Sequence, residues 1–144
     1  NSYRRFVPGN YVPLTPSWGY NHRDVSLRIP VSSHQNRRVE HRVAGADANP
    51  YLVAAAVLAG IHYGITQRCE PGPMVAEGTQ LAAREVTLPA RWEAALAAFD
   101  HSTVMPEYLG EAYCSAFGSM RHSECEAFHA RISNLDYEWY LRAV

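Results

Sequence analysis

The stretch "RRVEHRVAGADANPYL", residues 37–52, sets one carboxylate among arginines and then turns into an apolar run. Read as a strand, its first part alternates, so Arg38, Glu40 and Arg42 share one face and Val39, His41 and Val43 the other. Two explanations are open for a solitary acid between guanidiniums: a solvated charged face, or side chains lining a site that needs both signs of charge. From Asp47 onward the pattern changes. Asp47 or Asn49 can cap a helix, Pro50 suits its first turn, and "YLVAAAVLAGIHYGI" is apolar nearly all round. Such a helix is expected to be buried on several sides. Gly60 and Gly64, one turn apart, would let a neighbour approach closely, and Pro71, Gly72 and Pro73 forbid continuation.

Upstream, "RDVSLRIPV" (23–31) alternates Val25, Leu27, Ile29 and Val31 with Asp24, Ser26 and Arg28, with Pro30 near the end. With "SSHQN" as the turn, residues 23–43 are predicted to form an antiparallel hairpin. Residues 1–22 carry Pro8, Gly9, Pro13, Pro16 and Gly19 and read as a shaped loop without regular structure. Downstream, residues 70–88 read as a long loop. "PARWEAALAAF" is an amphipathic helix, "STVMPEYLG" a short one and "EAYCSAFGSMRH" a further segment. Ser123 and Glu126 match a capping box, which predicts that a last helix opens there. Trp92, Phe99, Phe117 and Trp139 are expected in the core. The predicted fold class is α+β: a small antiparallel β portion followed by packed helices.

A chain of 144 residues suits one domain, and 47% hydrophobic residues with 11% aromatics argue for a folded one. Charge is uneven. Residues 1–42 hold seven arginines against Asp24 and Glu40, a net of +5, while the remainder is net −6. The basic part therefore suits an anion. All thirteen basic residues are Arg, whose planar fork grips phosphate or carboxylate oxygens in pairs. A genome rich in Arg codons explains the absence of Lys equally well. Cys69, Cys114 and Cys125 form no CxxC and suit buried thiols in a reducing compartment.

Other chemistries find no support. The seven histidines make no HxxxH or HExxH arrangement, and no glycine-rich phosphate loop or GxSxG nucleophile motif occurs. The longest apolar run is too short to span a bilayer, so no membrane partner is expected. The +5 region lacks the interleaved aromatics of a base-stacking surface, so no nucleic acid is expected either. What remains is the arginine set: Arg5, Arg23, Arg28, Arg38 and Arg42 around Glu40. A carboxylate among guanidiniums stays ionised and makes a good ligand for a hard divalent cation.

Three blocks in order, "NSYRRFVPG", "NHRDVSLRIP" and "RRVEHRVAGADANPYLVAAAVLAGI", resemble the C-terminal part of the glutamine synthetase family over about residues 1–66. Within that family "FVPGNYVPLTPSWG" is most similar to the γ-glutamylpolyamine synthetase branch. The resemblance implies that residues 1–144 are the C-terminal part of a longer catalytic domain, inactive alone. It implies an ATP-dependent ligation of glutamate to an amine, putrescine or another polyamine, through γ-glutamyl phosphate. It also implies Mg²⁺ or Mn²⁺, a ring-type homo-oligomer and a cytoplasmic location. Carried over by position, Arg5 would contact glutamate near the reacting carboxylate, and Arg23 and Arg28 would hold ATP phosphates and neutralise the transferring group. Arg38 would lie on the nucleotide side, Arg42 would hold a glutamate carboxylate, and Glu40 would bind a metal.

One departure matters. Ammonia-using members carry a Glu in the loop after the VPG motif, whereas this chain reads Asn10-Tyr11 there, with no acid before Asp24. The expected nucleophile is therefore a larger amine, with Tyr11 lining its site. Ammonia-dependent glutamine synthetase is the alternative within the same chemistry. A non-catalytic assembly module, with the arginines binding an anion only, is the alternative outside it.

Overall fold

The computed structural model describes residues 2–79 and 88–143. Mixed strands and helices give the α+β class expected. The chain divides into two compact units, residues 1–95 and 96–144.

The first unit is built on three short strands, β1 (Trp18–Tyr20), β2 (Leu27–Ile29) and β3 (Glu40–His41). β2 and β3 pair antiparallel, Leu27 opposite His41 and Arg28 opposite Glu40, as the hairpin predicted. The strands are shorter than expected, and their connection includes a 3-10 turn at His34–Asn36. The alternation in residues 23–31 also gives way. Ser26 is buried like Val25, because its hydroxyl donates to the Thr15 carbonyl at 2.7 Å, while Val31 is 73% exposed beyond the strand. Val39 is exposed too, and β3 begins only after it.

β1 corrects the reading of residues 1–22 as wholly irregular. It runs parallel to β2, Gly19 opposite Arg28. Gly19 is required there, because a Cβ would overlap the carbonyl oxygen of Val75, whose own N–H donates to the Trp18 carbonyl at 2.9 Å. His22 is buried. Its Nδ1 accepts from the Asp24 N–H at 3.2 Å, so Nε2 carries the proton and donates to the Thr79 carbonyl at 2.7 Å. That fixes a structural role for this histidine.

Helix α1 spans Pro50–Thr66. Asn49, of the two capping candidates, takes the position: its Oδ1 accepts from the N–H of Tyr51 and of Leu52. The expected burial on several sides does not hold. Only Ala59 is buried, and Leu58, Ile61 and Ile65 are more than half exposed. The apolar composition fits a helix covered all round, but the described residues cover one side. Leu27, His41, Val53, Val57 and Gly60 line an open groove of about 800 Å³ along it. Among the described residues no helix is long and apolar enough to cross a membrane.

α2 (Trp92–Asp100) begins in the first unit and ends in the second, which also holds α3 (Val104–Leu109), α4 (Glu111–His129) and α5 (Asn134–Tyr140). Phe99 meets Phe117 at 5.4 Å between ring centroids, and the buried Gly118 lies beside the Phe99 ring. The capping box expected at Ser123 and Glu126 lies inside α4. No glycine or proline interrupts residues 119–129, so the helix runs through it. The real box is Ser133 and Asp136, whose carboxylate accepts from the Ser133 hydroxyl and N–H, both at 2.7 Å. Those bonds hold Asp136 below the ordinary carboxylate pKa. Trp139 is 63% exposed, contrary to the core expectation, because α5 buries none of its residues. Cys69, Cys114 and Cys125 form no disulfide, and Cys69 is exposed where a buried thiol was expected.

Candidate active site

Seven residues are the site candidates singled out by the sequence: Arg5, Tyr11, Arg23, Arg28, Arg38, Glu40 and Arg42. They fall into two adjoining groups, joined through β3.

The first group is centred on Glu40. The β2–β3 register sets Glu40 directly across from Arg28, which puts the two side chains on one face of the sheet. One carboxylate oxygen accepts from Arg28 at 3.1 Å and the other from Arg38 at 3.0 Å. Arg38 lies outside the strand, so its pairing comes from its reach and not from alternation. Glu40 and Arg28 are each about a quarter exposed, neither sealed in the core nor loose in water. The acid is bracketed by cations, but by Arg28 and Arg38 and not by the Arg38 and Arg42 that the alternation set beside it.

The second group centres on Arg42 and the loop of residues 6–17. Arg42 does not reach Glu40. Its guanidinium donates to the carbonyl of Tyr11 at 3.1 Å, while its backbone N–H donates to the Ser26 carbonyl. Arg5 closes over the chain leaving β3, donating from one terminal nitrogen to the carbonyls of Arg42 (3.0 Å), Val43 and Ala44 (3.2 Å). The guanidinium of Arg23 lies over the Tyr11 ring at 4.5 Å. Tyr11 has φ +51°, a left-handed conformation rare for an aromatic residue.

The Nε–H groups of Arg5, Arg28 and Arg42 are buried with no acceptor among the described residues. Buried donors normally find a partner, but Arg121 in α4 shares the feature, so it does not by itself distinguish this cationic set. Its chemistry fits phosphate or carboxylate oxygens. A divalent cation fits less well. Glu40 belongs to no cluster of three or more metal-ligating side chains among the described residues, so this chain offers one ligand of the six or so such an ion takes.

His41 escaped the sequence reading as a site neighbour. Partial burial, and next the charge of Arg5, hold its imidazole below the ordinary histidine pKa. The alternation that placed it opposite Glu40 gave no signal of Arg5, which comes from 36 positions earlier in the chain. Nearby, Ser2 hydrogen-bonds Asp47 and lowers its pKa.

A carboxylate clamped by two arginines thus stands at a strand edge, beside a proline-bearing loop that Arg23 and Arg42 hold at Tyr11. Residues 1–140 fit the family model of the glutamine synthetase catalytic domain, and the chain belongs to that family. It is 44% identical over 142 residues to gamma-glutamylputrescine synthetase PuuA of Escherichia coli, covering 99% of this chain and 30% of that protein. A gamma-glutamylethanolamide synthetase of Streptomyces coelicolor is 35% identical over 143 residues, 99% of this chain and 29% of that protein. A glutamine synthetase of Pyrococcus woesei is 36% identical over 120 residues, covering 78% and 27%. The chain thus spans about three-tenths of the length of the curated relatives it matches.

Proposed function

We propose that the protein carrying this chain is an ATP-dependent glutamate–amine ligase that makes a γ-glutamyl amide, with putrescine or another polyamine as the amine. The observation that carries the reading is the cross-strand Arg28–Glu40 pair with Arg38 on the second carboxylate oxygen. It supplies cationic donors around one acid, the arrangement a transferring phosphoryl group needs. Similarity to two synthetases named for amine products adds support. So does Tyr11, in the loop position where ammonia-using relatives were expected to carry an acid.

In this reading an oxygen of glutamate's side-chain carboxylate attacks the γ-phosphorus of ATP, and ADP leaves. The amine nitrogen then attacks the acyl carbon, phosphate departs, and the nitrogen gives up a proton. Arg23 and Arg28 neutralise the phosphoryl oxygens, with Arg38 on the nucleotide side. Arg5 and Arg42 orient glutamate, and Tyr11 lines the amine's approach. Glu40 would supply one carboxylate ligand to Mg²⁺ or Mn²⁺, which when bound would screen the phosphate charge. The remaining ligands, a ring-type homo-oligomer and a cytoplasmic setting belong to the whole protein.

The test is phosphate release by the whole protein with glutamate, ATP and, in turn, putrescine, ethanolamine and ammonium. Turnover with the diamine, lost by orders of magnitude in Glu40→Ala, supports the reading. Preference for ammonium makes the protein a glutamine synthetase, and Glu40→Ala turnover equal to wild type refutes a role for this acid.

A further inference from the structure

Tyr11 touches both an arginine assigned to nucleotide and an arginine assigned to glutamate. Its ring carries the Arg23 guanidinium at 4.5 Å, and its carbonyl accepts from Arg42 at 3.1 Å. The two arginines reach it from opposite ends of the hairpin: Arg23 precedes β2 and Arg42 follows β3. A tyrosine at φ +51° is strained, and such strain persists where neighbours over-determine it. Here the two guanidiniums are those neighbours.

This contact has a chemical consequence. A guanidinium over an aromatic face is localised by the ring's quadrupole and can still donate from the N–H groups that do not face the ring. The ring of Tyr11 holds the guanidinium of Arg23, an exposed residue, at a definite place beside the loop. Arg42 likewise has one terminal nitrogen anchored and its Nε–H without an acceptor.

We propose that Tyr11 is a positioning residue: its ring presets the position of Arg23 for phosphate oxygens, while its carbonyl ties that arginine to Arg42. The inference rests on the ligase reading above and adds a role for Tyr11 toward nucleotide, separate from any contact with the amine. A loop that has given up an acid would then organise two substrate-holding cations instead of handling a proton.

The test is calorimetric binding of ADP to the whole protein, which needs no turnover. Tyr11→Asn removes the ring while suiting the left-handed backbone, and so leaves the loop able to fold. It is expected to weaken ADP by about two- to fivefold, the range of an exposed cation–π contact. Tyr11→Phe keeps the ring and is expected to bind ADP as tightly as the wild type. In an Arg23→Gln background, Tyr11→Asn is expected to add nothing further, since its effect passes through the lost guanidinium. An unchanged affinity in Tyr11→Asn, or a loss that adds in full to that of Arg23→Gln, overturns the inference and leaves the ligase reading standing. A wild type that binds no adenine nucleotide overturns both.

Discussion

Glu40 stands directly across from Arg28 in the β2–β3 ladder, and a 3.1 Å ion pair joins their side chains. Partly exposed pairs contribute no more than about 1 kcal/mol to folding. Arg28→Ala is therefore expected to move the urea midpoint little, while lowering kcat by about 10²- to 10³-fold if Arg28 faces the transferring phosphoryl group. Parallel losses of stability and turnover would assign Arg28 to the scaffold alone.

His41 predicts a pH dependence. Its folded-state pKa lies below the ordinary value of 6.5. Between the two values the unfolded chain binds a proton that the folded chain does not, so stability rises with pH through that window and levels off above it. Acidification below 6.5 should lower the urea midpoint, and His41→Gln should flatten that part of the profile. An identical slope in the variant would trace the dependence to another group.

How much of this was legible in the sequence depends on how local each cause is. Asn49 and Pro50 announce α1 through contacts within one turn, and the hairpin's pairing follows from alternating side chains on either side of a short connection. β1 was not legible. Its three residues form a strand only because β2 and Val75 offer backbone partners from elsewhere in the chain. The capping box at Ser123 failed for the opposite reason, since the spacing was right but nothing ended the preceding helix. In the site, Arg28 and Glu40 were readable from pattern, whereas the turning of Arg42 toward Tyr11 depends on how the loop folds back.

Gly19 gives a third prediction. A methyl group there would meet the Val75 carbonyl oxygen, which is backbone and has little room to yield. Gly19→Ala is expected to cost about 1–3 kcal/mol, read as a lower urea midpoint with an unchanged slope. No loss would mean that the segment around Val75 can shift without penalty.

The cap of α1 gives a fourth. Asn49 satisfies two N–H groups at the helix start. Asn49→Ala should cost about 1 kcal/mol, and Asn49→Asp much less, because Asp caps as well as Asn. Equal losses in both variants would point to a role for the amide nitrogen.

Leu58, Ile61 and Ile65 lie along α1 with more than half of each side chain in water. Prepared as these 144 residues alone, the polypeptide should brighten a hydrophobic dye such as ANS and clump as it is concentrated. During synthesis the same stripe would be a natural grip for chaperones.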